Sequence, residues 1–70
     1  MQRQPISSSM ISSVGYDEME QTLEVEFSNG HIWQYMDVPE VAYSGMIESA
    51  SIGKHFHQNI KNSFESVQVN

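Results

Sequence analysis

The sequence predicts an α+β domain: a small three-stranded antiparallel sheet, in β-β-β-α-α order, with two C-terminal helices packed on one face. Three observations carry this. Leu23, Val25 and Phe27 alternate with Thr22, Glu24, Glu26 and Ser28, the period-two pattern of a strand with one buried face. Asn29-Gly30 follows at once and marks a hairpin. From Ile52 onward the apolar residues Ile52, Phe56, Ile60 and Phe64 recur at every fourth position, a helical stripe.

The elements follow in chain order. A serine-rich first strand is expected near residues 9–15, ending around Gly15, with Asp17 and Glu18 in the turn after it. The strongest strand is Thr22 to Ser28. A two-residue type I′ turn at Asn29-Gly30 would then set the register, with Phe27 facing Ile32, Glu26 facing Trp33 and Glu24 facing Tyr35. One face carries Leu23, Val25, Phe27, Ile32 and Met36, and the other carries Glu24, Glu26, Trp33 and Tyr35. Three coverings for that aromatic face stay open: the N-terminal segment or tail of this chain, a second copy of it, or a flat ligand stacking there.

Asp37-Val-Pro-Glu40 starts a helix, either with Pro39 at the first helical position or with Asp37 as the cap of a capping box. It should run to about Ser49, with Ala42, Met46 and Ala50 on one face. Gly45 inside it costs about 1 kcal/mol relative to Ala unless another backbone packs close there. The stretch Ser49 to Gly53 breaks this helix and starts a second, from about Ile52 to Ser63. The domain thus spans residues 6–64, with 1–5 and 65–70 as flexible tails.

Seventy residues make one small domain. Such a chain buries only about 60% of its unfolded surface. It has no cysteine and so no disulfide to compensate, which leaves good packing or self-association as its support, and self-association is expected. No apolar run reaches the roughly 20 residues of a membrane span, and MQRQPISSSM is no secretory signal, so a cytoplasmic location is expected. Nine acidic residues face three basic ones, and the net charge of −6 opposes non-specific binding to nucleic acid. The exception is the 52–61 segment, where Lys54 and Lys61 flank His55 and His57.

The residue types exclude much chemistry. His55 and His57, two apart on a helix, point about 200° from each other and cannot share a metal. No Ser, His and acidic set stands out, and a chain this small has little room for an enclosed active site. A non-catalytic protein without metal or cofactor is expected. Ser51-Ile-Gly53-Lys54 admits two readings: plain capping by Ser51, with Gly53 allowing close packing, or an anion site at a helix start. The candidate ligand-binding residues are Trp33, Tyr35, Ser51, Gly53, Lys54 and His57.

The run from Ile6 to Phe64 resembles a KTSC domain, a family named for its occurrence at the C-terminus of some lysyl-tRNA synthetases and also found alone. The resemblance rests on Ser-Ser before Gly15-Tyr16-Asp17, on Leu23-x-Val25-x-Phe27-x-x-Gly30, on the central aromatic pair, on Val38-Pro39, and on Ser51-x-Gly53-Lys54-x-Phe56 with Ile60 after it. Two positions depart from the family pattern: its Tyr-x-Tyr is here Trp33-x-Tyr35, and the Lys that often precedes its Gly is here Ile52. The resemblance implies a bacterial or phage source, and RNA binding through the synthetase connection. Weighed against the chain's acidity, it leads to a non-catalytic module that binds or sequesters a small nucleotide-like anion as a homo-oligomer. An RNA-binding accessory domain and a protein–protein adaptor are the alternatives.

Overall fold

The computed structural model describes all 70 residues. The chain runs β1 (Gln4–Pro5), β2 (Ile11–Asp17), β3 (Thr22–Phe27), β4 (Ile32–Tyr35), α1 (Glu40–Ile47), α2 (Ile52–Asn59) and β5 (Ser66–Gln68). The sheet therefore has five strands rather than the three expected, in the order β1-β2-β3-β4-β5 with every neighbouring pair antiparallel. The class remains α+β. Both added strands lie in segments read from the sequence as tails. They are two and three residues long and exposed throughout, so no side-chain alternation betrays them. Only backbone pairing makes them strands, and both lie at sheet edges.

The hairpin register also differs from expectation. Leu23 pairs with Tyr35, Glu24 with Gln34, Val25 with Trp33 and Glu26 with Ile32. The loop holds three residues, not two. Gly30 N–H donates to the Phe27 carbonyl at 2.9 Å and Phe27 N–H to the His31 carbonyl at 2.9 Å. Gly30 takes φ +90°, while Asn29 stays at negative φ. This is a type I turn closed by a glycine bulge. A one-residue slip turns every β4 side chain over. Trp33 and Tyr35 thereby join Leu23 and Val25 on the helix-covered face, and Ile32 moves to the face of Glu24 and Glu26. Burial of two large aromatics drives the choice, since the expected register would leave both among carboxylates.

Nine residues form the core on that covered face: Ile11 and Val14 from β2, Leu23 and Val25 from β3, Tyr35 from β4, and Val38, Met46, Phe56 and Ile60 from the helical half. Phe56 anchors it, edge-on to Tyr35 at 5.2 Å and to Phe27 at 5.6 Å between ring centroids. Near α1, Tyr16 stacks on Tyr43 at 4.6 Å, and its hydroxyl donates to the Val38 carbonyl at 2.5 Å. Pro39 is the N-cap of α1 and makes no side-chain capping bond. Asp37 sits at φ +57°, outside the helix, so it does not serve as a capping-box residue.

The opposite face is polar and partly covered by the chain's own start. Arg3 Nε donates to Ser13 Oγ at 3.0 Å, and Arg3 also pairs with Glu24. Gln34 Nε2 donates to Glu24 Oε1 at 2.8 Å, and Ser13 Oγ donates to Glu26 Oε1 at 2.8 Å. This network satisfies Ser13 and Glu24, the two polar residues among the buried set. Gly15 lies beneath the N-terminal segment, where a Cβ would stand 2.7 Å from the Gln2 carbonyl oxygen.

Candidate functional site

The helix-covered face carries two adjoining clefts. The first encloses about 500 Å³ and is walled by the aromatics Phe27, Trp33, Tyr35 and Phe56, with His57 and Lys61 at its polar side. The second encloses about 440 Å³ and lies between the Ser7–Ser9 stretch and the start of α2, bordered by Ser51, Gly53, Lys54 and His57. Met10 and His57 line both, so they stand at the junction.

All six residues predicted from the sequence thus border this double cleft. Trp33 and Tyr35 line the first part, Ser51, Gly53 and Lys54 the second, and His57 belongs to both. Each position has a local cause. The register places Trp33 and Tyr35 on the inner face, where α2 covers them. Phe56 of α2 covers Tyr35 edge-on, while Met10 and the tail residue Ser66 border the cleft beside the aromatic pair. Tyr35 is buried and part of the core, whereas Trp33 is half-buried. Burial pushes the Tyr35 hydroxyl pKa upward, which keeps it protonated and a hydrogen-bond donor at neutral pH.

Ser51 is the N-cap of α2, and its hydroxyl oxygen accepts from Lys54 N–H at 3.4 Å. Gly53 is buried, with Ser8 Oγ standing 3.1 Å from where a Cβ would be. That contact is the close packing expected of it, and it seats the 8–10 segment against α2. Lys54 and His57, at i and i+3, share one side of α2, and Lys61 follows in the turn after the helix, where it lines the first cleft. His55 instead turns toward α1, where its ring lies 3.9 Å from the position a Cβ on Gly45 would occupy.

The chain has nine carboxylate side chains, and none lines either cleft. Its one ion pair, Arg3–Glu24, is on the opposite face, so Lys54 and Lys61 carry the uncommitted positive charge. The expected register had set Glu24 and Glu26 beside the aromatics; the observed one puts them behind the sheet. The arrangement can hold a flat ring against aromatic walls and an anionic group among lysines, a histidine and hydroxyls.

Met10, Phe27 and Ser66 also line the clefts and were not singled out in the sequence. Phe27 reads there as ordinary core. Met10 and Ser66 reach the site only because β2 and β5 bring distant segments beside α2, which no local pattern reports.

Comparison with known proteins places this geometry. The family model described as the KTSC domain matches residues 7–64. An uncharacterized protein of Stutzerimonas stutzeri (strain A1501) is 43% identical over 61 residues, covering 87% of this chain and 86% of its own length. Lysine–tRNA ligase of Nostoc punctiforme is 33% identical over 61 residues, covering 87% of this chain, which spans only 11% of that protein. The crystal structure of a KTSC domain protein from Yersinia pestis superposes with a TM-score of 0.95 at 39% identity, covering 99% of this chain and 97% of that one. The match of sequence along the domain and of the fold across nearly the whole chain has one conclusion: this chain belongs to the KTSC domain family.

Proposed function

We propose that this domain is a non-catalytic binding module that takes a small nucleotide-like anion in the double cleft. One observation carries the reading. In a chain of net charge −6, one unpaired lysine, Lys61, borders the aromatic-walled cleft, the other, Lys54, borders the cleft adjoining it, and no carboxylate lines either. Aromatic walls favour a flat base, with stacking worth about 1–3 kcal/mol per base. The first cleft is also within the roughly 300–1,000 Å³ typical of ligand sites.

Trp33 is the sole tryptophan, so its fluorescence reports on the cleft directly. Titration with ribonucleotides is expected to change Trp33 emission saturably and to raise the melting temperature. At a ligand concentration of 100 Kd the stabilisation is about 2.7 kcal/mol. A Lys61→Gln variant of unchanged circular dichroism should bind more weakly. If no ribonucleotide alters emission or melting temperature, the reading is wrong.

We propose further that the module is a homo-oligomer, on the grounds of its small size and the exposed Val67 and Val69 at the sheet edge. A monomeric mass by light scattering at all concentrations would remove that part alone.

A second reading, an accessory RNA-binding domain, is favoured by the matching segment within lysine–tRNA ligases. The absence of Glu24 and Glu26 from the aromatic face supports it as well. With two lysines available, the salt dependence should be shallow, a slope of about −1.4 in log K against log salt for single strands. A steep slope, or no RNA binding at low salt, would count against it.

A further inference from the structure

The two clefts differ in chemistry as well as position. The first is walled by aromatic rings, while the second is bordered by hydroxyls, Lys54 and no aromatic residue. The hydroxyls of the second are arranged in a particular way. Ser8 Oγ accepts from Met10 N–H at 3.2 Å and from Ile11 N–H at 3.3 Å. Ser51 Oγ accepts from Lys54 N–H at 3.4 Å. Ser8 thus has both lone pairs engaged within the chain and Ser51 one, and neither O–H donates to another protein atom, which leaves each proton as a free donor. Free hydroxyl donors beside an unpaired ammonium suit an acceptor-only group with several oxygens. His57 stands where such a group would meet the aromatic cleft.

Resting on the nucleotide reading above, we infer that the site has a fixed polarity: the ligand is a nucleoside phosphate whose base lies against Trp33 and Tyr35 and whose phosphate crosses the Met10–His57 junction to Ser8, Ser51 and Lys54. Lys61, in the aromatic cleft, then neighbours the base and sugar and does not pair with the phosphate. The same chemistry is offered by a free nucleotide and by one nucleotide of an RNA strand.

The test is a cycle in which both protein and ligand change. Matched ribonucleosides and their 5′-monophosphates are titrated into wild-type protein, Lys54→Gln and Lys61→Gln, with Trp33 emission as readout. Both lysines are exposed, so both variants should fold, and their melting temperatures verify it. In wild type and in Lys61→Gln, the phosphate is expected to tighten binding at least tenfold. In Lys54→Gln that gain is expected to fall below threefold. The opposite assignment, with the gain kept in Lys54→Gln and lost in Lys61→Gln, overturns the polarity.

Equal affinity of nucleoside and nucleotide for wild type also overturns it, yet leaves the base-binding reading standing. Binding of neither compound sinks that reading, and the polarity with it. A dinucleotide with one internal phosphodiester separates the sources. Tighter binding than the mononucleotide, with the Lys54 dependence kept, identifies an RNA strand. Weaker binding with that dependence kept identifies the free nucleotide.

Discussion

Val25 and Trp33 stand opposite each other across β3 and β4, on the face that the helices cover. That pairing decides the character of the site. It puts the aromatics within reach of Lys61 and His57 and sends Glu24 and Glu26 to the far side of the sheet. An acidic protein thereby keeps carboxylates out of the clefts where a negatively charged ligand would have to approach.

The register rests on the hairpin loop and is tested there. A type I′ turn needs positive φ at both central residues, whereas the observed loop needs it only at Gly30. Gly30→Ala should cost about 1–2 kcal/mol through backbone strain alone, since no atom lies within 4 Å of an added Cβ. Asn29→Ala should cost less, roughly 0.5–1 kcal/mol, through loss of the bond from His31 N–H to Asn29 Oδ1 at 2.9 Å. Urea denaturation of the two variants measures both costs. Equal losses would indicate the two-residue turn and the opposite facing of Trp33.

Gly15 tests the cover on the outer face. A Cβ there would meet the Gln2 carbonyl oxygen at 2.7 Å, a backbone atom that cannot rotate away. Gly15→Ala is expected to destabilise by about 1–3 kcal/mol, as overpacking does. In a protein lacking residues 1–3 the same substitution should cost little or nothing. An identical cost in both backgrounds would mean that the N-terminal segment does not lie over β2.

Arg3 and Glu24 give a pH signature. Burial by itself raises the Glu24 pKa. The hydrogen bond from Gln34, the bond from Arg3 and the Arg3 charge outweigh it, so the carboxyl titrates below its ordinary value of 4.5. A carboxylate with a depressed folded-state pKa contributes stability that is fully present above 4.5 and lost as pH falls through the folded value. Arg3→Gln should lower stability at pH 7 by about 1–3 kcal/mol, because it strips a buried carboxylate of its charged partner. The gap between variant and wild type should narrow as pH drops below that ordinary value. A gap independent of pH between 7 and 3 would show that the pairing does not hold the carboxyl ionised.

Much of this architecture is readable from side-chain period, and the failures have physical causes. The alternation from Thr22 to Phe27 and the stripe of Ile52, Phe56 and Ile60 are local patterns with burial behind them; the strand stands where expected, while the helix starts at Ile52 but ends at Asn59 rather than near Ser63, with Ile60 as its non-helical C-cap. Ser51 as a cap and Gly53 as a close-packing position follow from local rules too. The register does not, because Asn29-Gly30 serves two loop lengths and only tertiary burial of Trp33 and Tyr35 chooses between them. Nor do β1 and β5, whose exposed residues pair through backbone alone. The union of the two clefts depends on Met10, which a β2 bulge between Ile11 and Ser13 follows closely in the chain and which only the folded sheet brings to His57.

Gly45 offers a stabilising change and a measure of how closely the helices approach. It lies inside α1 at negative φ, where glycine costs about 1 kcal/mol relative to alanine. Close approach of another backbone would justify that cost. Here the nearest atoms to an added Cβ belong to the His55 ring, at 3.9 and 4.0 Å, an ordinary contact distance. Gly45→Ala should therefore stabilise the fold by about 0.5–1 kcal/mol, through lower chain entropy when unfolded. For a domain of this size, each 1 kcal/mol raises the melting temperature by about 4–8 °C. Thermal denaturation followed by circular dichroism measures the shift. A fall in melting temperature would mean that α1 and α2 meet more tightly at Gly45 and His55 than the structure has them. His55→Ala in the same background would then restore stability, which assigns the strain to that ring and not to the helix backbone.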